Sequence, residues 1–455
     1  MATLDGSIVN VALPNMAKSL DVHTSTIQLV VSIYLLVIAG TVLIFGRLGD
    51  MYGKSKMFKL GLALFTLGSL LCGITESFIM LVIARMIQAI GAAGTMANNQ
   101  GIITEIFDHG ERGKALGFLG TAVALGALVG PGIGGLIVGT LSWEYIFLIN
   151  VPIGIIAYYY SHKLSPVHKR NEHLKLDIVG AILFIFAIVP FVLGLDQGLS
   201  LGYMNPLILG SFMLSFVSFV IFIVFEKKKK EPLLELSIFK NKLFSLSIFC
   251  AFVTFVALSC NNIIFPFYVQ DVMNYSPLYA GLILMVNPLI LMLVSPISGT
   301  LSDKIGSEVL TFIGLILVSV GLFFMSTLNV NSNIAEMIIF IVLMSIGMGL
   351  FQPPNNSLIM STVPKNELGI AGSINALARN LGMVFGIAMS ATLLYGLMSH
   401  YVGYKVTDFV NGSSDIFTNA MSIVYIVAGA ISLIGAIMTL FRLIGKKTEK
   451  EEIIN

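Results

Sequence analysis

The sequence predicts an all-α integral membrane protein of about fourteen transmembrane helices, with two six-helix bundles and two extra helices between them. Three observations predict this fold: a composition poor in charge, apolar runs of helical length, and an internal repeat. Hydrophobic residues make up 56% of the 455 residues and charged residues only 11%, whereas a soluble domain carries roughly 25% charged residues. So few charged residues cannot cover the surface of a protein of this size in water, so much of that surface must face lipid.

Apolar runs of about 20 residues, enough to cross a hydrocarbon core of ~30 Å as a helix, recur along the whole chain. Polar breaks separate them and define the expected helices. These lie near 1–19, 27–47, 57–75, 78–105, 113–138, 144–162, 177–195, 206–225, 244–269, 278–299, 309–328, 335–361, 369–399 and 419–442.

The basic residues predict the orientation. All but four of the 26 lysines and arginines lie in alternate breaks between the apolar runs. Lys18 and Lys405 lie in the opposite breaks, and Arg85 and Arg379 lie inside predicted helices. Because basic loops remain on the cytoplasmic side, we expect a multi-pass protein of the plasma membrane with both termini cytoplasmic. Termini on one side require an even number of spans.

The two halves of the sequence repeat each other. The pattern GxLxDxxG occupies residues 46–53 and recurs at 299–306, and ExGxA occupies 111–115 and recurs at 367–371. Parallel six-helix halves are an architecture of alternating-access transporters. We therefore expect an N-terminal bundle over 1–165, two inserted helices and a cytoplasmic connector over 166–242, a C-terminal bundle over 243–445 and a cytoplasmic tail over 446–455.

The connector follows Lys227–Lys230 and carries apolar residues at 233, 234, 236, 238 and 239. Basic residues beside an apolar face are typical of a segment that lies on anionic cytoplasmic lipid. We expect this segment to lie at the membrane surface as a connector, without a binding site of its own.

Three charged residues fall inside predicted spans: Asp5, Arg85 and Arg379. Charges in the bilayer are costly and therefore indicate function. Asp5 and Arg85 lie at different depths, so their side chains would have to reach toward each other. A buried carboxyl holds a proton tightly and a nearby arginine opposes this, so the two residues could switch proton binding. A static ion pair is the alternative.

The sequence lacks the residue patterns that several classes of function require. Cys72, Cys250 and Cys260 lie inside apolar runs, and the six histidines show no ligand spacing. We expect no disulfide, no metal site and no cofactor, with the proton gradient as the energy source. A membrane-embedded enzyme would need paired acids, a histidine cluster or a nucleophile triad at one depth. We expect a monomer that is not an enzyme, with protons, a small-molecule substrate and membrane lipids as partners and no nucleic acid.

Six motifs in order make the chain resemble the fourteen-helix drug:proton antiporters of the major facilitator superfamily (the EmrB/QacA type). They lie at 4–14, 46–56, 85–91, 126–135, 143–154 and 231–241. On its own, the glycine-rich run at 126–135 indicates only close helix packing. The resemblance implies the major facilitator fold and a proton-coupled efflux transporter that exports lipophilic small molecules such as drugs by alternating access.

The resemblance also implies roles for individual residues. Proton coupling falls to Asp5 and Arg85. A loop latch, in which Asp50 joins the halves through Arg112 and the start of the thirteenth helix, comprises Gly46, Asp50, Gly53, Lys54, Arg112 and Asp303. The antiporter motif, which would line the interface that opens outward, comprises Gly126, Gly130, Pro131, Gly134 and Gly135.

The expected substrate cavity combines polar side chains with methionine and aromatic residues, which suit varied apolar ligands. Because Arg379 makes the intramembrane charge positive, neutral or anionic lipophiles are as well suited as quaternary cations. Export of an endogenous lipid or metabolite, or proton-coupled uptake by a symporter, are the alternatives. The cavity residues are Asn10, Tyr34, Gln88, Asn261, Asn262, Asn287, Gln352, Asn355 and Arg379.

Overall fold

The computed structural model describes residues 1–22, 27, 29–107, 111–164, 177–229, 232–234, 236–275, 277–364, 367–404, 406 and 414–454. Almost all of these residues are helical. Some residues used in the predictions lie outside this description: the basic residues Lys169, Arg170, Lys175, Lys230, Lys365 and Lys405, and the side chain of Asn10.

Contacts within the chain define two compact units. The first comprises Met1–Asp108, Val123–Asn241 and Met360–Asn380, and the second comprises His109–Ala122, Lys242–Ile359 and Leu381–Asn455. The boundary near residue 242 is also the predicted start of the C-terminal bundle. One short segment of each half, however, groups with the other half. These are the segments that begin the ExGxA helices.

The first unit is built from helices whose ends follow local sequence signals. Asp177 accepts a hydrogen bond from the backbone N–H of Gly180, and Asn205 accepts one from Leu207, so each caps the start of a helix. The helices are α1 Ala2–Ser19, α2 Leu29–Tyr52, α3 Lys54–Gly73, α4 Phe78–Ile106, most of α5 Arg112–Thr140, α6 Tyr145–Leu148, α7 Asn150–Ser161, α8 Ile178–Leu201 and α9 Pro206–Lys228.

The second unit has its own core of buried aromatic side chains, which includes Phe265, Tyr268, Phe351 and Tyr425. Its helices are α10 Lys242–Phe267, a π-helical turn at Tyr268–Val272, α11 Pro277–Leu284, α12 Val286–Ile305, α13 Ser307–Met325, α14 Ile334–Ser361, most of α15 Leu368–Val402, and α16 Ser414–Ile454.

Twelve helices of the described chain are long and apolar enough to cross a membrane. This confirms the prediction of an all-helical fold with many spans. Two predicted helices fall outside the twelve: α1, which has 18 residues, and the shorter apolar segment Tyr145–Ser161. The count of fourteen spans therefore stays a prediction.

The two inserted helices, α8 and α9, pack side by side and belong to the first unit. The rings of Phe184 and Phe222 lie 5.6 Å apart between them, and the Ser215 hydroxyl donates to the Ala187 carbonyl. Helix α8 also meets α2, because a Cβ atom at Gly40 would lie 3.8 Å from Val189. The insertion therefore extends the first unit.

The connector differs from its prediction. Leu233, Leu234 and Ile238 are buried in the protein, whereas Phe239 is exposed. The chain folds back onto the end of α9, where the Glu226 carboxylate accepts the backbone N–H of Leu234 at 3.1 Å. The prediction that the apolar residues of this segment face lipid is therefore wrong for Leu233, Leu234 and Ile238, because protein covers them.

Candidate functional site

Asp5 lies in α1 and is completely buried. Its Oδ2 lies 2.6 Å from Nη1 of Arg85 in α4, and the Arg85 side chain is also buried. A buried carboxylate needs a compensating charge and hydrogen bonds. The structure thus brings together the two intramembrane charges that the sequence placed at different depths.

Two amides complete the shell of Asp5. Nε2 of Gln88 donates to Oδ1 of Asp5 at 2.8 Å, and Nδ2 of Asn150 donates to the same oxygen at 3.0 Å. Gln88 also donates to Ser69 at 2.8 Å. Asn150 was singled out in the sequence only as part of a family motif, because a lone amide in a span carries no charge to reveal its partner. Gln88, predicted to line the cavity, binds Asp5.

Arg85 is held by more than its carboxylate. Its Nε donates to the carbonyl of Val30 at 3.2 Å, and its guanidinium lies 4.2 Å from the ring centre of Tyr34 and 5.5 Å from that of Phe147. Arginine is attracted to the face of an aromatic ring. Within the described chain the Tyr34 hydroxyl is buried and has no hydrogen-bond partner. An acceptor arriving there would find a free donor beside Arg85.

The antiporter motif forms the surface on which α1 lies. A Cβ atom at Gly126 would lie 2.5 Å from Thr3, one at Gly130 would collide with Ser7, and one at Gly134 would lie 2.8 Å from Ile8. These glycines are four residues apart and therefore share one face of α5.

The remaining members of the motif differ. A Cβ atom at Gly135 would meet nothing within 4 Å of it, and Pro131 lies inside α5. Only part of the motif therefore supports the helix that carries Asp5.

Asp50, at the end of α2, binds the start of α15. Its Oδ1 accepts the backbone N–H of Gly369 at 2.9 Å and its Oδ2 accepts that of Ile370 at 3.0 Å. The free N–H groups and the dipole of a helix start favour a carboxylate. Lys54 joins this site, 3.1 Å from Asp50 and 2.7 Å from Glu105. The structure thus brings Asp50 to the helix start that the resemblance implied.

Asp303 occupies the matching position in the second copy of the repeat. Its two oxygens accept the backbone N–H groups of Gly113 at 3.3 Å and Lys114 at 3.2 Å, at the start of α5. Arg112 is the first residue of that helix. The symmetry of these two carboxylate caps was not predicted, although the repeated ExGxA pattern marks both helix starts.

Glycines bring the helices of both caps into contact. Cβ atoms at Gly46 and Gly369 would each lie 2.7 Å from the carbonyl oxygen of the other residue, and one at Gly113 would lie 2.6 Å from that of Gly299. The last glycine of GxLxDxxG has φ +98° at residue 53 and +94° at residue 306. Glycine adopts this conformation readily, so it allows the sharp turn into the next helix.

The predicted cavity residues are divided between the two units. Tyr34, Gln88 and Arg379 belong to the first unit, and the described side chains of Asn261, Asn262, Asn287, Gln352 and Asn355 belong to the second.

Several of these residues contact other parts of their own unit. Asn355 donates to the Ser247 carbonyl at 3.0 Å, and Asn261 accepts from the Tyr425 hydroxyl at 3.0 Å. No group of histidine, cysteine and acidic residues in the described chain could hold a metal ion.

Comparison of the sequence with models of protein families identifies the family of this chain. Residues 1–387 match the model of the Major Facilitator Superfamily. This chain belongs to the major facilitator superfamily. Its relatives are transporters, and it is therefore a transporter and not an enzyme.

Two curated relatives extend this major facilitator assignment over most of the chain. A riboflavin transporter of Clostridioides difficile, RibZ, is 33% identical over 451 residues, which cover 99% of this chain and 96% of that protein. The multidrug transporter MdtP of Bacillus subtilis is 30% identical over 408 residues, which cover 90% of this chain and 74% of that protein.

Solved structures of the superfamily share the fold. The human organic anion transporter MFSD10 superposes with a TM-score of 0.66 at 13% identity, covering 96% of both chains. The proton:xylose symporter XylE superposes with a TM-score of 0.65 at 13% identity, covering 96% of this chain and 92% of that one. At such low identity these structures support the fold alone.

Proposed function

We propose that this major facilitator protein is a proton-coupled antiporter of the fourteen-helix group that exports lipophilic small molecules across the plasma membrane. The observation that carries the proposal is the buried Asp5, held by Arg85, Gln88 and Asn150 at 2.6–3.0 Å. Multidrug transporters among the relatives support the direction and the substrate class. The asymmetry of basic loops supports cytoplasmic termini.

The hydrogen bonds of Asp5 explain how proton binding can change the structure. Its neighbours Arg85, Gln88 and Asn150 all offer N–H donors to it, which suits the ionised carboxylate. A protonated carboxyl has one O–H donor of its own and less capacity to accept. Proton binding at Asp5 must therefore release at least one neighbour. Because Arg85 and Gln88 lie in α4 and Asn150 lies in α7, the release would loosen α1 from at least one of these helices.

The glycine face of α5 supports the second step. Side chains of α1 lie directly against the α5 backbone at Gly126, Gly130 and Gly134, so a small movement of α1 acts directly on α5. The N-terminal end of α5 is the end that Asp303 caps. Proton binding at Asp5 would reach this cap through one continuous helix.

The central test is transport driven by a pH gradient in inverted membrane vesicles with an acidic lumen. The wild-type protein is expected to accumulate a lipophilic dye in the lumen. Asp5→Asn keeps the side chain's shape but cannot gain or lose a proton near neutral pH, so it should abolish accumulation while leaving exchange of dye for dye. Glu336→Gln, on the exposed start of α14, is the matched control and should accumulate dye normally. Accumulation by Asp5→Asn would contradict the proposal.

A second candidate is transport of a flavin-like metabolite. The riboflavin transporter, which aligns with 99% of this chain at 33% identity, favours it. The same vesicles, loaded with riboflavin or the dye, distinguish the two substrates. Movement of protons against the substrate indicates antiport, and movement of both in one direction indicates uptake by symport.

A further inference from the structure

The last turns of α9 border a groove of about 560 Å³. One part of its wall is apolar and the other part is basic. The lining residues are Val220, Ile221, Val224, Phe225, Lys228 and Lys229. No part of this groove belongs to the Asp5 site or to the two carboxylate caps.

The apolar part of the groove faces acyl chains. Val220, Ile221 and Val224 are 44%, 48% and 50% exposed. Helix α9, which carries them, is long and apolar enough to cross a membrane. Apolar side chains exposed on a spanning helix meet lipid rather than water. Any occupant of this wall therefore carries a hydrocarbon chain.

The basic end of the groove is fixed in place. Nζ of Lys229 lies 2.6 Å from Oδ1 of Asp177 and 4.7 Å from the ring centre of Phe225, whereas Lys228 is exposed. Among the residues that the structure describes here, the acids Asp177 and Glu226 are buried. Asp177 also caps α8, and Glu226 binds the connector. The charged groups that the described part of this turn exposes are therefore lysines, Lys227–Lys229.

We propose that the groove binds one anionic phospholipid, with an acyl chain along Val220, Ile221 and Val224 and the headgroup phosphate at Lys228 and Lys229. Every lipid offers a hydrocarbon chain, so the wall by itself selects none of them. Selectivity must come from the headgroup. A lysine near the membrane surface favours an anionic lipid about fivefold, and Lys228 contributes this without sharing its charge with Asp177.

A lipid at this position would compete with Asp177 for Lys229. Asp177 begins α8 and Glu226 fastens the connector to the end of α9, so the headgroup would lie where both inserted helices and the connector meet. The lipid therefore acts on the inserted helices, apart from the proton site.

The test uses the full-length protein in vesicles with photoreactive phosphatidylglycerol or photoreactive phosphatidylcholine, each carrying a diazirine in an acyl chain. Phosphatidylglycerol should crosslink to residues 220–225 at least about fivefold more than phosphatidylcholine. Lys228→Gln combined with Lys229→Gln should bring the two lipids close to equal. Lys227→Gln removes one positive charge from the same turn without lining the groove, so the preference should persist.

A second pair of variants tests the apolar wall. Val224→Trp fills the groove and should remove the crosslink, whereas Val217→Trp, which is exposed on the same helix outside the groove, should keep it. Equal labelling by both lipids, or an equal loss in Lys227→Gln, overturns the proposal in favour of diffuse surface charge. Displacement by millimolar inorganic phosphate also overturns it, because the site would then bind a soluble anion. Unfolding temperatures in phosphatidylcholine verify that each variant is folded.

Discussion

At the scale of single residues, the shell of Asp5 combines one ion pair with two amide donors. The ion pair could be expected from the sequence, because an acid and a base inside spans are too costly to remain apart. The amides could not be expected. Gln88 and Asn150 are uncharged, and the sequence shows neither the turn of helix on which they lie nor the helix that they face.

Asn150→Leu tests whether the amide shell tunes proton binding. It removes one donor to Oδ1 and leaves Gln88 on the same oxygen. A hydrogen bond stabilises the ionised form to which it donates, so its loss should change how transport depends on pH. The pH profile of transport should therefore move, measured as dye accumulation at a series of pH values.

Asn355→Leu is the control for this change. It removes a buried hydrogen bond of the same length, which the Asn355 side-chain amide donates to the Ser247 carbonyl at 3.0 Å in the second unit. Its pH profile should stay in place whatever happens to the rate. An unmoved profile in Asn150→Leu would mean that the amide serves packing alone.

At the scale of helices, the apolar runs predicted where helices lie but not where they end. The predicted helix at 419–442 is part of Ser414–Ile454, and the one at 57–75 begins at Lys54. Hydropathy marks the lipid boundary, whereas backbone hydrogen bonds continue a helix into the polar region. The partner of the glycine face of α5 was likewise beyond prediction, because glycine spacing shows close packing without naming the neighbouring helix.

Gly130→Ala tests the contact between α5 and α1. The added methyl group would collide with Ser7 and lie 3.2 Å from the Leu4 carbonyl, so α1 must shift at a cost of about 1–3 kcal/mol. Because α1 carries Asp5, transport should fall at least about tenfold in the vesicle assay.

Gly135→Ala is the matched control within the same motif. Its methyl group would meet nothing within 4 Å, and alanine is the better helix former by about 1 kcal/mol. Transport should remain normal and the unfolding temperature should not fall. Equal losses in the two variants would show that the motif acts through helix flexibility and not through contact with α1.

At the scale of the whole molecule, each copy of the sequence repeat contains an aspartate, Asp50 or Asp303, that caps the start of a helix. The sequence could predict that Asp50 and Asp303 are equivalent, and it could not show how deeply each side chain is buried. The Asp50 side chain is buried and paired with Lys54, whereas Asp303 is exposed and has the longer hydrogen bonds. Ser307 stands at the position of Lys54 in the second copy.

Asp50→Asn and Asp303→Asn should therefore have unequal effects on transport. An amide caps a helix start without the charge that strengthens the bond. At the buried site we expect a loss of about 1.5–3 kcal/mol, or at least tenfold in rate. At the exposed site we expect a loss of about twofold to fivefold. Initial rates of dye uptake at equal amounts of protein provide the measurement. A larger loss in Asp303→Asn would reverse this order.

The glycine pairs beneath the two caps set how quickly these contacts can part and re-form. A contact lined by long side chains must immobilise them each time it closes, at up to ~2 kcal/mol of rotamer entropy for each chain. Gly46 with Gly369, and Gly113 with Gly299, have no rotamers to order. In the proposed transport cycle, closure of these helices would therefore require ordering the cap side chains but no side chain at the glycine pairs themselves.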